Sequence, residues 1–261
     1  MRTKERKPAF CASCGACVYL SGNPRAGMRP GKDGPVPFAD AKTGPGLDRS
    51  ACPGIGIDYP RLYRFRYGRL PESWLYGIVE KVRTGHAADP AVRLAGASGG
   101  VLTRVLQYLL QSGRIDGAVV AKQGVPSPIE ASAVIAKTPE EILACAGSVY
   151  IPVPMVPALA RFEPGKRYAF VGTPEQTAAL RELQCIGDAR ASQVAYVLGP
   201  YTGTALSPRA LEYYLRSNRV SKDDPVESVQ WRAGKWPPVS RSWRSSAHWR
   251  LASTTFRSEP P

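Results

Sequence analysis

Cys11, Cys14 and Cys17 sit in the run CASCGAC, and Cys52 follows far downstream, directly before Pro53. Two residues between successive thiols let one short loop wrap a corner of an iron–sulfur cube, and a distant Cys-Pro completes such a cage. A chain that commits four thiolates to one inorganic group must fold residue 52 back onto its first turn. The intervening stretch 21–46 is glycine- and proline-rich without period, so it reads as a long loop whose ends the cysteines tie together. Gly15 suits the site because a missing side chain lets backbone N–H groups approach the cluster sulfides. A structural zinc site would want a second Cys-x-x-Cys pair or nearby histidines. The only histidines are His86 and His248. A disulfide framework is not expected in a 261-residue chain with six cysteines and no secretory leader. Cys145 and Cys185 fall in helix-like apolar patterns and read as small buried hydrophobes.

Composition bounds the class. A hydrophobic share of 43% and a charged share of 21% suit a soluble globular protein of one or two domains. No apolar stretch approaches the ~20 residues a membrane span needs. The start MRTKERK leads into cysteines rather than an apolar segment, so a cytoplasmic, reducing setting is expected. The formal charge is +14, mostly from arginine, which favours anionic partners. The run from Tyr59 to Tyr67 (YPRLYRFRY) interleaves bases with aromatics and could stack nucleobases. We read it as a loop or strand with a solvated arginine face, and nucleic acid is not expected as the partner.

Along the chain, periodicity predicts alternating elements. A short helix is expected around Glu72 to Arg83. Val101, Leu102, Val105, Leu106, Leu109 and Leu110 form one helical stripe, closed by Gly113. Strands are expected over Arg114–Ala121, Ala131–Ala136, Arg167–Gly172, Gln193–Gly199 and Val226–Arg232. Thr138-Pro-Glu-Glu141 and Thr173-Pro-Glu-Gln176 read as capping boxes opening helices, and Ser207-Pro208 opens another. The alternation predicts an α/β (α+β) fold: a mixed sheet flanked by helices, with a small ferredoxin-like Cys-rich N-terminal segment and an irregular C-terminal tail. Past Trp236 serine and arginine dominate without period, which reads as a disordered or non-native tail.

Two turns have the form of ligand cradles. Gly96-Ala-Ser-Gly-Gly100 precedes a helix, where N–H groups and the helix dipole favour an anion. Alone, it reads first as a structural run of small residues before a helix. Gly172-Thr173-Pro174 closes a strand before a helix, the place where open α/β sheets bind ligands. Alone, it is equally a well-capped turn. A redox cluster in the same chain makes a two-electron carrier such as a flavin a sensible neighbour, because the cluster passes single electrons.

Taken in order, CASCGAC…CPG, ASGGVLTRVLQYLLQSGRIDGAVVA, EEILACAGSVYIPVP, AFVGTPEQTAALREL and WRAGKWP resemble the coenzyme F420 hydrogenase/dehydrogenase beta subunit family, which includes formate dehydrogenase beta-like subunits and 7-hydroxymethyl chlorophyll a reductase. The likeness spans about residues 10 to 238. It implies an iron–sulfur flavoprotein oxidoreductase moving electrons between FAD and a 4Fe-4S cluster, with coenzyme F420 or a similar hydride carrier, or a partner redox protein or subunit. By motif, Cys11, Cys14, Cys17 and Cys52 would hold the cluster. Ser98, Gly99 and Gly100, then Ser148 and Tyr150, then Gly172 and Thr173, would lie against FAD. No catalytic acid or base is assigned. The expected organisation is a cluster-binding segment over 1–60, a flavin-binding N-terminal domain over 61–160, the start of a C-terminal domain over 161–238, and the tail over 239–261.

The chain departs from the family pattern at three places. Glu175 stands where GTPCQ has cysteine, Tyr201 stands where a later cysteine follows LG, and Val149 replaces the lysine of GSKY. A second cluster is therefore not expected. Family members usually continue beyond the Trp-Pro segment, so the chain reads as truncated there. Two other readings stay open: a non-catalytic family member that has lost turnover, and a basic zinc-binding nucleic-acid module.

Overall fold

The computed structural model describes residues 10–203, 205–218, 220, 226–231, 248–251 and 254–255. The cysteine run leads into one turn of helix, α1 (Ala16–Tyr19), which starts at Gly15. Gly15 has φ 79°, and a Cβ there would lie 2.6 Å from the ring of Pro157, so both conformation and space demand glycine. The packing accounts for this residue without any appeal to sulfide contacts. The Cys14 carbonyl accepts from Val156 N–H at 3.1 Å, docking the cysteine loop onto the 3-10 turn Val156–Arg161.

The stretch read as a plain loop contains an antiparallel hairpin, β1 (Gly27–Arg29) with β2 (Val36–Phe38), in register Gly27 to Phe38. Three-residue strands leave too little pattern to be seen among glycines and prolines. A 3-10 turn, Pro53–Ile55, follows Cys52.

The arginine–aromatic run is a helix, α2 (Tyr59–Tyr67), not a loop or strand. Asp58 caps it by accepting from Arg61 N–H at 3.1 Å, and Pro60 sits in its first turn, where a missing N–H costs nothing. The helix expected around Glu72 to Arg83 is absent. Trp74 instead packs edge-on against Tyr63, ring centroids 5.7 Å apart, and Gly77 turns the chain at φ 69°. Arg61 reaches Glu182 at 3.2 Å, and that carboxylate side chain is only 1% exposed. Removing one partner of a buried pair is costly, but Arg61 is 42% exposed and water can partly replace it. Arg61→Ala is expected to lower unfolding free energy by about 2 kcal/mol, read as a fall in the urea midpoint at unchanged slope.

The main sheet has four strands, in the order β4 (Ala131–Ala136), β3 (Gly117–Gln123), β5 (Tyr168–Val171) and β6 (Val194–Leu198). Helices α3 (Pro90–Ala95) and α4 (Val101–Gln111) precede β3 (Gly117–Gln123). Strand β4 (Ala131–Ala136) pairs antiparallel with β3, while β5 (Tyr168–Val171) and β6 (Val194–Leu198) continue it in parallel. Alternation along the strands sends side chains to two apolar layers. Val119, Tyr168 and Phe170 join Cys14, Ala16, Val156 and Leu159 with Ala179, Leu180 and Leu183 of α6 (Pro174–Cys185). Ala118, Val120 and Ala169 join Leu106 and Leu109 of α4 with Ile142 of α5 (Pro139–Leu143). The mixed sheet between helices is the architecture the alternation predicts. Cys14 thus sits inside the larger core, and its loop is part of that layer.

After α7 (Ala189–Ser192) and β6, a smaller unit forms from α8 (Pro208–Ser217) and a second sheet, β7 (Val226–Gln230), β8 (His248–Leu251) and β9 (Thr254–Thr255). Strands β8 and β9 fall within the stretch read as an irregular tail. Its other residues from 239 onward lie outside the described residues. Trp231 ties this unit to the main body: it bridges Ser148, its indole N–H donates to Gln123 Oε1 at 3.1 Å, and its ring meets Tyr150 edge-on at 5.6 Å.

Candidate functional site

Strands β3, β5 and β6 run parallel, and open sheets of this kind take ligands beyond their carboxyl ends. A cleft of about 750 Å³ lies there, within the range that small-molecule sites occupy. Its walls combine the 96–103 turn, the 145–153 segment, the 171–176 turn, the loop after β6, and residues 10–13 of the cysteine run. Of the residues expected against a flavin, Ser98, Gly100, Ser148, Tyr150, Gly172 and Thr173 all line this one cleft. Gly99 does not. Its carbonyl accepts from Ala87 N–H at 2.8 Å, and its missing side chain faces His86.

Two helix N-termini meet the cleft, and they are not equivalent. The start of α6 carries a capping box, the Gln176 side chain reaching back to Thr173 N–H at 3.0 Å, and Glu175 adds a negative charge to that turn. The start of α4 has no side-chain cap. Its N-cap Gly100 has φ 73°, and a Cβ there would lie 2.5 Å from the Val92 carbonyl, so the turn closes only with glycine. Backbone N–H groups and the helix dipole therefore give α4 the stronger claim on an anionic group.

The charged side chains among the cleft's described lining are Asp33 and Glu175, both acidic, and no lysine or arginine lines it. The excess positive charge expected to draw an anionic carrier is carried elsewhere on the molecule. Val149 lines the cleft where the family motif has lysine, as do Glu175 and Tyr201 where it has cysteine. Sequence reasoning missed Asp33, which the unforeseen hairpin delivers, and Cys145, whose apolar neighbours gave it the look of a core residue. Cys145 is half-buried on the cleft wall, and burial raises its thiol above the usual range.

The four early cysteines occupy one corner of the molecule. Burial pushes Cys14 up to about 12, and Cys52, Cys17 and Cys11 add to the effect. Burial likewise pushes Cys17 up to about 11, with Cys52 and Cys11 contributing, while Arg49 opposes. Cys14 thus feels the other three thiols, and Cys17 feels Cys11 and Cys52. Among the described residues, no three His, Cys, Asp or Glu side chains converge tightly enough for a single metal ion. A donor set of four sulfurs, two of them buried, is the chemistry an iron–sulfur cluster requires, and a cluster spreads its ligands over separate irons. Cys11 is the exposed member and lines the cleft; Cys52 does not line it.

The family matches decide the kinship. The N-terminal beta subunit model of coenzyme F420 hydrogenase/dehydrogenase matches residues 82–160, and its C-terminal counterpart matches 165–245. The chain belongs to the coenzyme F420 hydrogenase/dehydrogenase beta subunit family. Membership in this oxidoreductase family implies a redox function, and the four cysteines lie before both matched spans. A coenzyme F420-dependent sulfite reductase from Methanocaldococcus jannaschii is 28% identical over 178 residues, 67% of this chain but 25% of that protein. The chain thus matches about a quarter of that relative's length. A chain of the F420-reducing [NiFe] hydrogenase complex from Methanosarcina barkeri shares the fold, with TM-score 0.50 and 22% identity over 59% of this chain and 60% of that one. No helix among the described residues is long and apolar enough to cross a membrane.

Proposed function

We propose that this beta subunit family member is an iron–sulfur flavoprotein oxidoreductase, with FAD in the cleft and a 4Fe-4S cluster on Cys11, Cys14, Cys17 and Cys52. The observation that carries the reading is Cys11. One exposed thiol of the cysteine set lines the same cleft as six residues expected at a flavin. When bound, a flavin supplies hydride exchange on one side and single-electron exchange on the other.

The chain's own residues have distinct tasks. The uncapped start of α4, with Ser98 and Gly100, would hold an anionic group of the cofactor, a task that no lining cation shares. Val101, Leu102, Val149 and Ile151 offer an apolar wall that keeps water from a ring. The Trp231 bridge fixes Ser148 and Tyr150 on the opposite side. Cys11 would give electrons their shortest way between cleft and cluster. Coenzyme F420, or a hydride carrier of similar chemistry, is the proposed substrate, with a redox partner protein as the other terminus.

The test is anaerobic purification with iron, sulfide and flavin assay, followed by mixing with reduced coenzyme F420. Brown protein with about four irons, bound flavin and bleaching of the flavin band is the expected result. Zinc in place of iron, or no flavin uptake, would sink the reading. The presence of Glu175 and Tyr201 on the cleft wall, at the two positions that have lost family thiols, favours one alternative: a member that binds flavin without turnover. Bound flavin that no donor reduces would select it.

A further inference from the structure

Beyond Cys52 the surface changes character. Helix α2 and the segment folded back on it expose Tyr59, Phe65, Tyr67 and Leu70, and Trp74, Leu75 and Tyr76 are 57%, 83% and 75% exposed. The Tyr63–Tyr67 and Tyr63–Trp74 ring contacts, at 5.8 and 5.7 Å, join the helix to the segment after it. Arginines stud it. Arg64, Arg66 and Arg69 form no ion pair among the described residues. Arg66 lies over Tyr67 at 5.6 Å, on the helix that packs against α6, which carries the half-buried Arg181. Burial, then the like charge of Arg66, hold Arg181 below its ordinary value. A cationic cluster so placed is relieved by an incoming anion.

We propose that this tyrosine–tryptophan–arginine surface docks an acidic electron-carrier protein, a small iron–sulfur protein of ferredoxin type, beside the Cys52 end of the cysteine set. Four observations select that occupant. Tryptophan, tyrosine and arginine are the residues that dominate protein–protein hot spots, and continuous exposed apolar surface marks an interaction site. Exposed Leu70, Leu75, Val79 and Val82 suit an apolar protein face better than stacked bases. The charge excludes the nearest alternatives: the chain's first nine residues and its last thirty are themselves basic, and a second copy carries the same +14. Finally, the turn after Cys52 and α2 both rest on α6, so the surface borders the cysteine that does not face the cleft. Electrons would enter at Cys11 and leave toward α2. The direction of that path, though not the surface itself, rests on the function proposed above.

The test uses the full chain after anaerobic reconstitution, with a purified acidic bacterial ferredoxin as probe and calorimetry at low and high salt. We expect micromolar binding that weakens steeply with salt, at least thirtyfold loss in Arg64→Glu/Arg66→Glu, and about tenfold loss in Trp74→Ala. Leu75→Ser, at a position too exposed to unsettle the fold, is expected to weaken binding severalfold. Absent ferredoxin binding by the parent protein, or unchanged affinity in all these variants, overturns the proposal. So does tighter, variant-sensitive binding of a single-stranded oligonucleotide, or self-association that the variants abolish. Iron and flavin are assayed on the same samples. Fully loaded protein that fails to bind counts against docking alone, and unloaded protein that still binds counts against the electron-transfer reading alone.

Discussion

Cys14→Ser is expected to be colourless after anaerobic reconstitution, its iron falling from about four per chain to near zero. Cys14 is the deepest of the four thiols, 7% exposed, and lies within the larger apolar layer with Val119, Phe170 and Leu180. Serine is nearly the same size, so the backbone of the loop should persist. What it removes is the thiolate, which alone among these groups binds soft iron–sulfide well. Flavin uptake should survive, because Cys14 does not line the cleft. Iron retained at the parent level would show that these cysteines hold no cluster. Iron and flavin lost together, with an altered circular dichroism spectrum, would show that the loop failed to fold. Cys11→Ser then decides the matter, since that residue is exposed and outside the core.

Ser98→Trp is expected to reduce flavin affinity at least a hundredfold, about 2.7 kcal/mol, while leaving iron content unchanged. Ser98 is exposed on the cleft wall, just before the uncapped start of α4. An indole there projects into the cleft's open volume, so it competes with a ring system without overpacking the core. Flavin fluorescence titration of the apoprotein measures the loss. Tyr108→Ala, an exposed position on α4 away from the cleft lining, is the control and should bind as the parent does. Parent-like affinity in Ser98→Trp would place the flavin somewhere else.

The sheet and its helices were legible because their signals are local and repeated. The apolar stripe of α4, the Thr138 and Thr173 starts and the β-branched strands each specify their element before any tertiary contact forms. Thr173 opens its helix with the full capping box, whereas at Thr138 only half of it forms: Thr138 Oγ1 accepts from Glu141 N–H at 3.1 Å, but the Glu141 carboxylate accepts from Lys137 N–H instead. What escaped depends on contacts distant in sequence. Helix α2 hides its start behind a run of arginines and aromatics, although Asp58 and Pro60 are ordinary start signals. The stretch after it resembles a helix but is held open by Trp74 packing against Tyr63. The motif glycines look alike in sequence, and only the backbone path shows that Gly99 turns toward Ala87 while Gly100 lines the cleft. Asp33 and Cys145 reach the cleft through tertiary folding alone, and no pattern in their neighbourhoods marks them.

Because the cysteine loop supplies Cys14 and Ala16 to the core, a cluster held there would make iron supply and protein lifetime one question. A chain without the proposed cluster would keep a free Cys14 thiol in the layer of Phe170 and Leu180, where a loaded chain would have a rigid plug. Such a chain should open more often and be cleared by proteases sooner, so that iron starvation would lower its abundance before any change in its transcription.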